Sequence, residues 1–235
     1  MWCCMTSTSS PAETPDYSNP HYLRAVSSLA QRSCVVAQSA IYTDNGIKLI
    51  DKGGRISSHL YDRLVQHHLR EPIENQLAVD NAVNTQTLLD SARELAESDP
   101  LAMLLVKALG SLGQMLEPLR SLPLPAPVAF KLTVMREERP VLFKHSVLMA
   151  LVSLFLGIKT GLDARSRVSL AAAALLHDVG MLHMDPVWFD SEKKITGADR
   201  RHLVVHPVTA MLMVRDAKVY SRAVEIAVLE HHERM

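Results

Sequence analysis

The stretch from Ala171 to Gly180 most constrains what this chain can fold into, because it is a tight apolar segment that ends in an adjacent histidine and aspartate. Its four consecutive alanines let neighbouring helices approach closely. His177 and Asp178 are therefore expected at the end of a rigid helix rather than in a loop. Adjacent helical side chains differ in direction by roughly 100°, so both reach one centre only near a helix end, where Gly180 permits a turn. The dipeptide by itself is more often a surface pair, so the rest of the chain decides.

The composition of the 235 residues bounds the class of protein. Basic and acidic residues number 25 each, so no net charge attracts a nucleic-acid polymer or an anionic membrane. The longest apolar stretches, 147–158 and 168–176, are shorter than the ~20 residues that span a bilayer, which predicts no transmembrane helix. The N-terminus lacks the pattern of a signal peptide, and three cysteines without zinc-like spacing suit a reducing compartment. We therefore expect a cytoplasmic protein.

The first part of the chain is predicted to hold a disordered tail and a small α+β regulatory module. Residues 1–20 are rich in Ser, Thr and Pro, and their cysteines are either acylated or, more simply, exposed. Residues 21–75 contain short apolar runs around Asn45-Gly46, a strong hairpin signal, and a helix that begins near Ser57 or Ser58. His67 and His68 could bind a metal, but adjacent histidines in a polar helix end are more often solvated.

The middle of the chain is predicted to be a helical spacer followed by a linker. Residues 76–121 follow a helical pattern from Leu77, and Asp99-Pro100 begins a second helix that runs to about Leu116. This spacer packs against a neighbour or dimerises. Residues 122–139 form a proline-rich linker and a lead-in helix, and we place the domain break there. Beyond it, residues 140–235 are almost all helix, which makes the chain mainly α.

Five histidines and one aspartate lie at helix ends or on apolar helices of this last region: His145, His177, Asp178, His206, His231 and His232. Each alone is more often a core or surface residue, but together they predict a metal centre inside a helical bundle. Imidazole and carboxylate ligands favour iron, manganese or zinc over calcium or magnesium, and six ligands exceed what one zinc needs, which indicates two metal ions. Two ions a few ångströms apart can clamp a phosphate for phosphodiester hydrolysis.

His145, the stretch Leu175–Gly180, His206-Pro207 and the run His231-His232-Glu233-Arg234 resemble the HD-GYP branch of the HD superfamily. These are metal-dependent hydrolases of the bacterial messenger cyclic di-GMP, and the resemblance covers roughly Pro140 to Met235. It implies an HD-type helical bundle over residues 140–235, preceded by the small hairpin-plus-helix module. The module is itself similar to the regulatory segment that precedes such domains in some bacterial proteins.

The resemblance also implies a site and a reaction. All six residues named above would be metal ligands, with His177 and Asp178 at the catalytic centre and iron or manganese as the two divalent ions. A hydroxide shared between the ions would attack phosphorus and convert cyclic di-GMP to pGpG or GMP. The expected partners are this cyclic dinucleotide and proteins that contact residues 21–120. A homodimer is compatible with the sequence, and neither a nucleic-acid polymer nor a membrane is expected.

Three departures from the family pattern bear on activity. Met181 stands where members usually have a lysine, and a thioether cannot replace an ammonium that meets the substrate phosphate. Val141 stands one helical turn before His145, where some members hold a third metal with a carboxylate, so we expect two metals at most. The sequence stops at Met235, before the Asp-Gly-x-Gly-Tyr-Pro segment, which we interpret as truncation of a longer protein.

Three alternatives to a cyclic di-GMP phosphodiesterase stay open. A catalytically degenerate module would bind cyclic di-GMP or protein partners without turnover, and Met181 and the missing segment favour it. Another HD-type nucleotide phosphohydrolase would need only the His177-Asp178 core and not the His231-His232 pair. A purely structural helical domain would leave the histidine set unexplained.

Overall fold

The computed structural model describes residues 19–189 and 194–233, and over these ranges the chain is mainly helical. Short strand pairs come first and a helical region follows, which confirms the predicted fold class. The tail predicted for residues 1–20 lies almost entirely outside the described residues, as do Arg234 and Met235.

The first module combines two helices with two small antiparallel strand pairs. Its elements are α1 (Pro20–Arg32), β1 (Val35–Ala37), β2 (Ile41–Tyr42), β3 (Lys48–Ile50), α2 (Ser58–Val65), a 3-10 helix (Ile73–Asn75) and β4 (Leu77–Val79). Strands β2 and β3 form the hairpin predicted around Asn45-Gly46, and Gly46 has a φ of 78° that the turn requires. The Asn19 side chain caps α1 by accepting hydrogen bonds from the backbone N–H groups of His21 and Tyr22.

The helix predicted from Leu77 is wrong over its first residues. Leu77 and Val79 are buried in β4, which pairs antiparallel with β1 so that Val35 lies opposite Val79. Helical periodicity in a window of sequence cannot detect this partner, because β1 lies far earlier in the chain. The helices of this spacer follow: α3 (Thr85–Ser98), α4 (Pro100–Leu109) and α5 (Gly113–Arg120).

Helix α4 begins where it was predicted and ends earlier. The Asp99 carboxylate accepts hydrogen bonds from the backbone N–H groups of Leu101 and Ala102, at 2.9 and 3.0 Å. The helix stops at Leu109 instead of Leu116, because Gly110 takes a left-handed conformation with a φ of 79° and ends it.

Helix α6 (Ala126–Glu138) lies in the centre of the core, although its sequence was predicted to be a linker and a lead-in helix. All residues from Val128 to Met135 are buried, including Lys131. The helix contacts α1, β4 and the next helix, α7. One hydrophobic cluster of the described residues extends from Tyr22 to Val228. The domain boundaries stay a prediction.

The last region is a bundle whose helices present the predicted site residues. Its elements are α7 (Pro140–Lys159), α8 (Ala164–Leu176), 3-10 helices Val179–His183 and Pro186–Phe189, α9 (Gly197–Leu203), α10 (His206–Asp216) and α11 (Arg222–Leu229). Asp163 caps α8 as predicted, with its Oδ1 2.9 Å from the Ser166 backbone nitrogen. Thr196 and Asp199 cap α9 by reciprocal hydrogen bonds.

Helix α7 has the length and apolar composition of a membrane-spanning helix, which differs from the sequence prediction. The prediction counted uninterrupted apolar runs, whereas the whole helix from Pro140 to Lys159 also includes residues beyond them. One such helix is weak evidence, because the core helix of a soluble protein passes the same test. Here Phe143, Val147 and Leu151 of α7 are buried in the core.

Candidate metal centre

Asp178 lies at the middle of the predicted site, and its two carboxylate oxygens face different histidines. Oδ1 is 3.2 Å from Nε2 of His206 and 3.5 Å from Nε2 of His231. His232 joins this side, because its Nε2 is 3.2 Å from Nε2 of His206. These four residues form one group that could hold a metal ion.

The second oxygen of Asp178 faces the other two histidines. Oδ2 is 3.1 Å from Nε2 of His177 and 3.8 Å from Nε2 of His145. These three residues form a second group with the spacing of a metal site, and Asp178 belongs to both groups. The structure thus brings all six predicted residues together around one carboxylate, and their role as metal ligands stays a prediction.

Backbone carbonyls orient three of the imidazole rings. In each ring Nδ1 lies within 2.5–2.8 Å of the carbonyl oxygen three residues earlier: His177 to Ala174, His206 to Leu203, and His231 to Val228. A carbonyl can only accept a hydrogen bond, so Nδ1 carries the proton in the neutral ring and Nε2 presents a lone pair. This is the arrangement that surrounds the histidine ligands of metal sites.

The Nε2 atoms of three histidines lie close enough together to share one cation. Nε2 of His206 lies 3.2 Å from Nε2 of His231 and 3.2 Å from Nε2 of His232. In His206 and His231, Nδ1 of each ring faces a carbonyl, so in the neutral rings the two Nε2 lone pairs face each other and repel unless a cation lies between them. Divalent ions of the iron, manganese and zinc type bind such imidazole and carboxylate groups.

Helix ends and one close approach between backbones position the central residues. His177 directly follows the last residue of α8 as its C-cap, and Asp178 precedes the 3-10 helix Val179–His183. A Cβ atom on Gly180 would lie 2.2 Å from the carbonyl oxygen of His206 and 2.9 Å from the backbone nitrogen of Ala210. Glycine is therefore required here because α10 approaches the backbone, whereas the sequence prediction attributed it to a turn.

The charges of the site are strongly coupled. Burial by itself raises the pKa of Asp178, but the hydrogen bonds that Nε2 of His177, His206 and His231 would donate from protonated rings outweigh burial and hold this pKa well below its usual range. Burial lowers the pKa of His177, and its hydrogen bond to Asp178 more than compensates, so the net shift is upward. At neutral pH the centre therefore keeps an ionised carboxylate, which metal binding needs.

A cavity of about 840 Å³ opens beside this centre. His206, His232 and Met181 line it, together with apolar side chains of α10 and α11 and the carboxylates of Glu230 and Glu233. Met181 thus lies next to two of the predicted ligands, at the place where a lysine was expected from the resemblance. On the other side of the centre, His145 is 48% exposed at its side chain.

Two other sequence predictions can be placed. His67 and His68 belong to neither metal-binding group of the described residues. Val141 is 81% exposed and carries no carboxylate, so it adds no ligand beside His145. A second polar cluster was not predicted and is formed by Tyr22, Glu74, Lys131 and His183. Its one signal is Lys131, a single charge within the apolar run 128–135.

Comparison with known proteins identifies the C-terminal region. Residues 142–235 match the family model described as the HD domain, and this part of the chain is an HD domain. Neither the curated proteins nor the solved structures include a match to the chain.

The matched region carries the fold of metal-dependent phosphohydrolases. HD domains bind divalent metal ions, and the cluster around Asp178 is consistent with a metal site. All six predicted ligands lie within the matched residues.

Proposed function

We propose that the chain is a metal-dependent phosphodiesterase of the HD-GYP type that hydrolyses cyclic di-GMP to pGpG or GMP in bacterial second-messenger signalling. The observation that carries this proposal is the pair of ligand groups that share Asp178. A single-metal site would need only one of them. Two divalent ions, iron or manganese, match the number and type of the ligands.

Each of the six candidate ligands has a defined part in this proposal. His145 and His177 with Oδ2 of Asp178 would hold one ion, and His206, His231 and His232 with Oδ1 would hold the other. Bound divalent ions supply Lewis acidity at a phosphoryl group. The carbonyl partners of the Nδ1 atoms keep the imidazoles in the required tautomer without reorganisation. The apolar wall of the adjacent cavity offers a surface for purine rings.

A catalytically degenerate module that binds cyclic di-GMP or protein partners is the second candidate. Met181 favours it, because this thioether lines the cavity beside His206 and His232. A lysine there would supply a positive charge to the substrate phosphate, and methionine supplies none. No lysine or arginine lines this cavity among the described residues.

Another HD-type nucleotide phosphohydrolase is the third candidate. It would need the His177-Asp178 core without a second ion. The participation of His231 and His232 in the group around Oδ1 favours the phosphodiesterase over this alternative.

The decisive experiment measures both metal and product. The chain is purified anaerobically and supplied with Mn(II) or Fe(II), metal content is measured by mass spectrometry, and cyclic di-GMP is incubated with it and analysed by chromatography. We expect about two ions per chain and the appearance of pGpG or GMP. His177→Ala should lose metal and activity and keep its helical circular dichroism, and His67→Ala is the matched histidine control.

The outcomes separate the candidates. Metal binding with unconverted cyclic di-GMP would favour the degenerate module, and hydrolysis of other nucleotides alone would favour the third candidate. Met181→Lys should increase hydrolysis if the missing cation limits turnover. Unchanged metal content in both His177→Ala and Asp178→Ala would overturn the assignment of the site.

A further inference from the structure

A second cavity lies where the first module meets the HD domain. Its volume is about 390 Å³, near the lower end of the range for ligand sites. Its walls come from the 3-10 helix Ile73–Asn75, from α6, from α10, and from His183. None of the six predicted metal ligands lines it.

The inner wall of this cavity carries a buried ion pair. Nζ of Lys131 lies 2.6 Å from Oε1 of Glu74, and the two side chains are 8% and 9% exposed. Burial by itself raises the pKa of Glu74, but the Lys131 ammonium outweighs it and lowers the pKa below its usual value. The Glu74 carboxylate is therefore ionised at neutral pH.

The outer wall carries a second pair of opposite charges. Arg215 and Asp216 are exposed residues at the end of α10, and both line the cavity. Neither forms an ion pair with any residue in the described part of the chain. The lining thus presents two cations and two anions, with the apolar side chains of Val128, Leu212 and Met213 between them.

One buried nitrogen in the lining lacks a partner. Nε2 of His183 is buried and forms no hydrogen bond with any described residue. The hydroxyl oxygen of Tyr22, whose ring stacks on His183 at 4.6 Å, is in the same situation. Buried polar atoms are nearly always satisfied in folded proteins, so two on stacked rings indicate that a polar group is needed at this junction.

We propose that this cavity binds a free α-amino acid with an apolar side chain. Such a ligand carries one carboxylate and one ammonium, which match a lining of balanced charge, whereas a ligand with a net charge would leave one sign unpaired. The carboxylate pairs with the Lys131 and Arg215 cations, and the ammonium with the Glu74 and Asp216 anions. The apolar side chain lies against Val128, Leu212 and Met213.

The test measures thermal stability of the full chain with L-leucine, L-methionine and L-phenylalanine. Binding to the folded state raises the melting temperature with ligand concentration. Succinate and butylamine, which carry only one sign of charge, are the comparison probes. We expect the melting temperature to rise with at least one of the amino acids and to stay unchanged with succinate and with butylamine.

Variants on the exposed side of α10 locate the site without disturbing the core. Leu212→Trp fills the cavity and should abolish the effect, and Arg215→Ala should weaken the affinity about tenfold in calorimetry by removing one charge-assisted hydrogen bond. Arg165→Ala removes an exposed arginine of α8 outside the cavity and is the matched control. Hydrogen exchange should slow in residues 73–75 and 209–217 when the amino acid is bound.

Three results would overturn the proposal. The first is no increase in melting temperature with any of the three amino acids up to about 10 mM. The second is an equal effect of succinate or butylamine. The third is unchanged binding in both Leu212→Trp and Arg215→Ala. Each leaves the proposed phosphodiesterase standing, because the two sites share no residue.

Discussion

At the scale of single residues, the candidate metal centre depends on types of side chain that are visible in the sequence and on neighbours that are not. The six candidate residues could be predicted because imidazoles and a carboxylate recur at predicted helix ends. The carbonyl partners of His177, His206 and His231 could not, because every residue has a carbonyl and only helix geometry selects one.

Gly180→Ala should destabilise the fold through a steric clash. The added Cβ would meet backbone atoms of His206 and Ala210, which cannot move like a flexible side chain. We expect a loss of about 2–3 kcal/mol in the free energy of unfolding in urea, together with weaker metal binding, because α10 carries His206.

Gly197→Ala is the matched control for this substitution. A Cβ atom there meets nothing within 4 Å, so the variant should keep or slightly raise stability. Equal stability of the two variants would show that α10 does not approach Gly180 as closely as the structure has it.

His183 should make stability depend on pH below neutrality. Burial lowers its pKa to about 4 from an ordinary value of 6.5, so the folded chain binds fewer protons than the unfolded chain between these values. The contribution of neutral His183 to the free energy of unfolding is complete above pH 6.5 and is lost as the pH falls toward 4. From pH 7.5 to pH 5 this loss amounts to about 2 kcal/mol in the free energy of unfolding.

The comparison variant is His183→Phe, which keeps an aromatic ring against Tyr22 and does not titrate. Urea unfolding at both pH values should show a drop about 2 kcal/mol larger in the unmodified chain than in the variant. All other side chains are the same in the two proteins, so their effects cancel in the difference. An identical pH dependence would mean that His183 is not buried in its neutral form.

At the scale of elements, local signals located the helices better than they located the strands. Asp99 and Asp163 marked helix starts because a side chain caps the backbone a few residues away. Strand β4 was missed because its partner β1 is remote in sequence. Helix α6 was underestimated because prolines before it resemble a linker, and its burial depends on elements from both ends of the chain.

The ion pair between Glu74 and Lys131 should stabilise the contact of the first 3-10 helix with α6. Lys131→Met leaves a buried carboxylate without its partner and should cost about 3 kcal/mol in urea unfolding. Replacing both residues by methionine should recover most of this loss, because no buried charge remains.

An exposed ion pair provides the control for this experiment. Arg93 and Asp90 of α3 are 2.6 Å apart with side chains 38% and 57% exposed, and Arg93→Met should cost less than about 1 kcal/mol. Equal losses in Lys131→Met and Arg93→Met would contradict the burial of the first pair.

At the scale of the whole molecule, the first module and the HD domain share one hydrophobic cluster in the described residues. We expect a single unfolding transition in calorimetry, with equal calorimetric and van't Hoff enthalpies. Two separate transitions would instead support an independent unit on each side of the break placed at residues 122–139.

The sequence by itself determined the class of the fold, most helix starts, the hairpin, and the six residues of the candidate metal centre. These features depend on periodicity, capping and ligand chemistry, which act within a few residues. The tertiary structure alone decided that Asp178 is shared by two groups of histidines, that β1 pairs with β4, and that a charged cavity lies at the junction. These depend on contacts between distant parts of the chain, which no local pattern encodes.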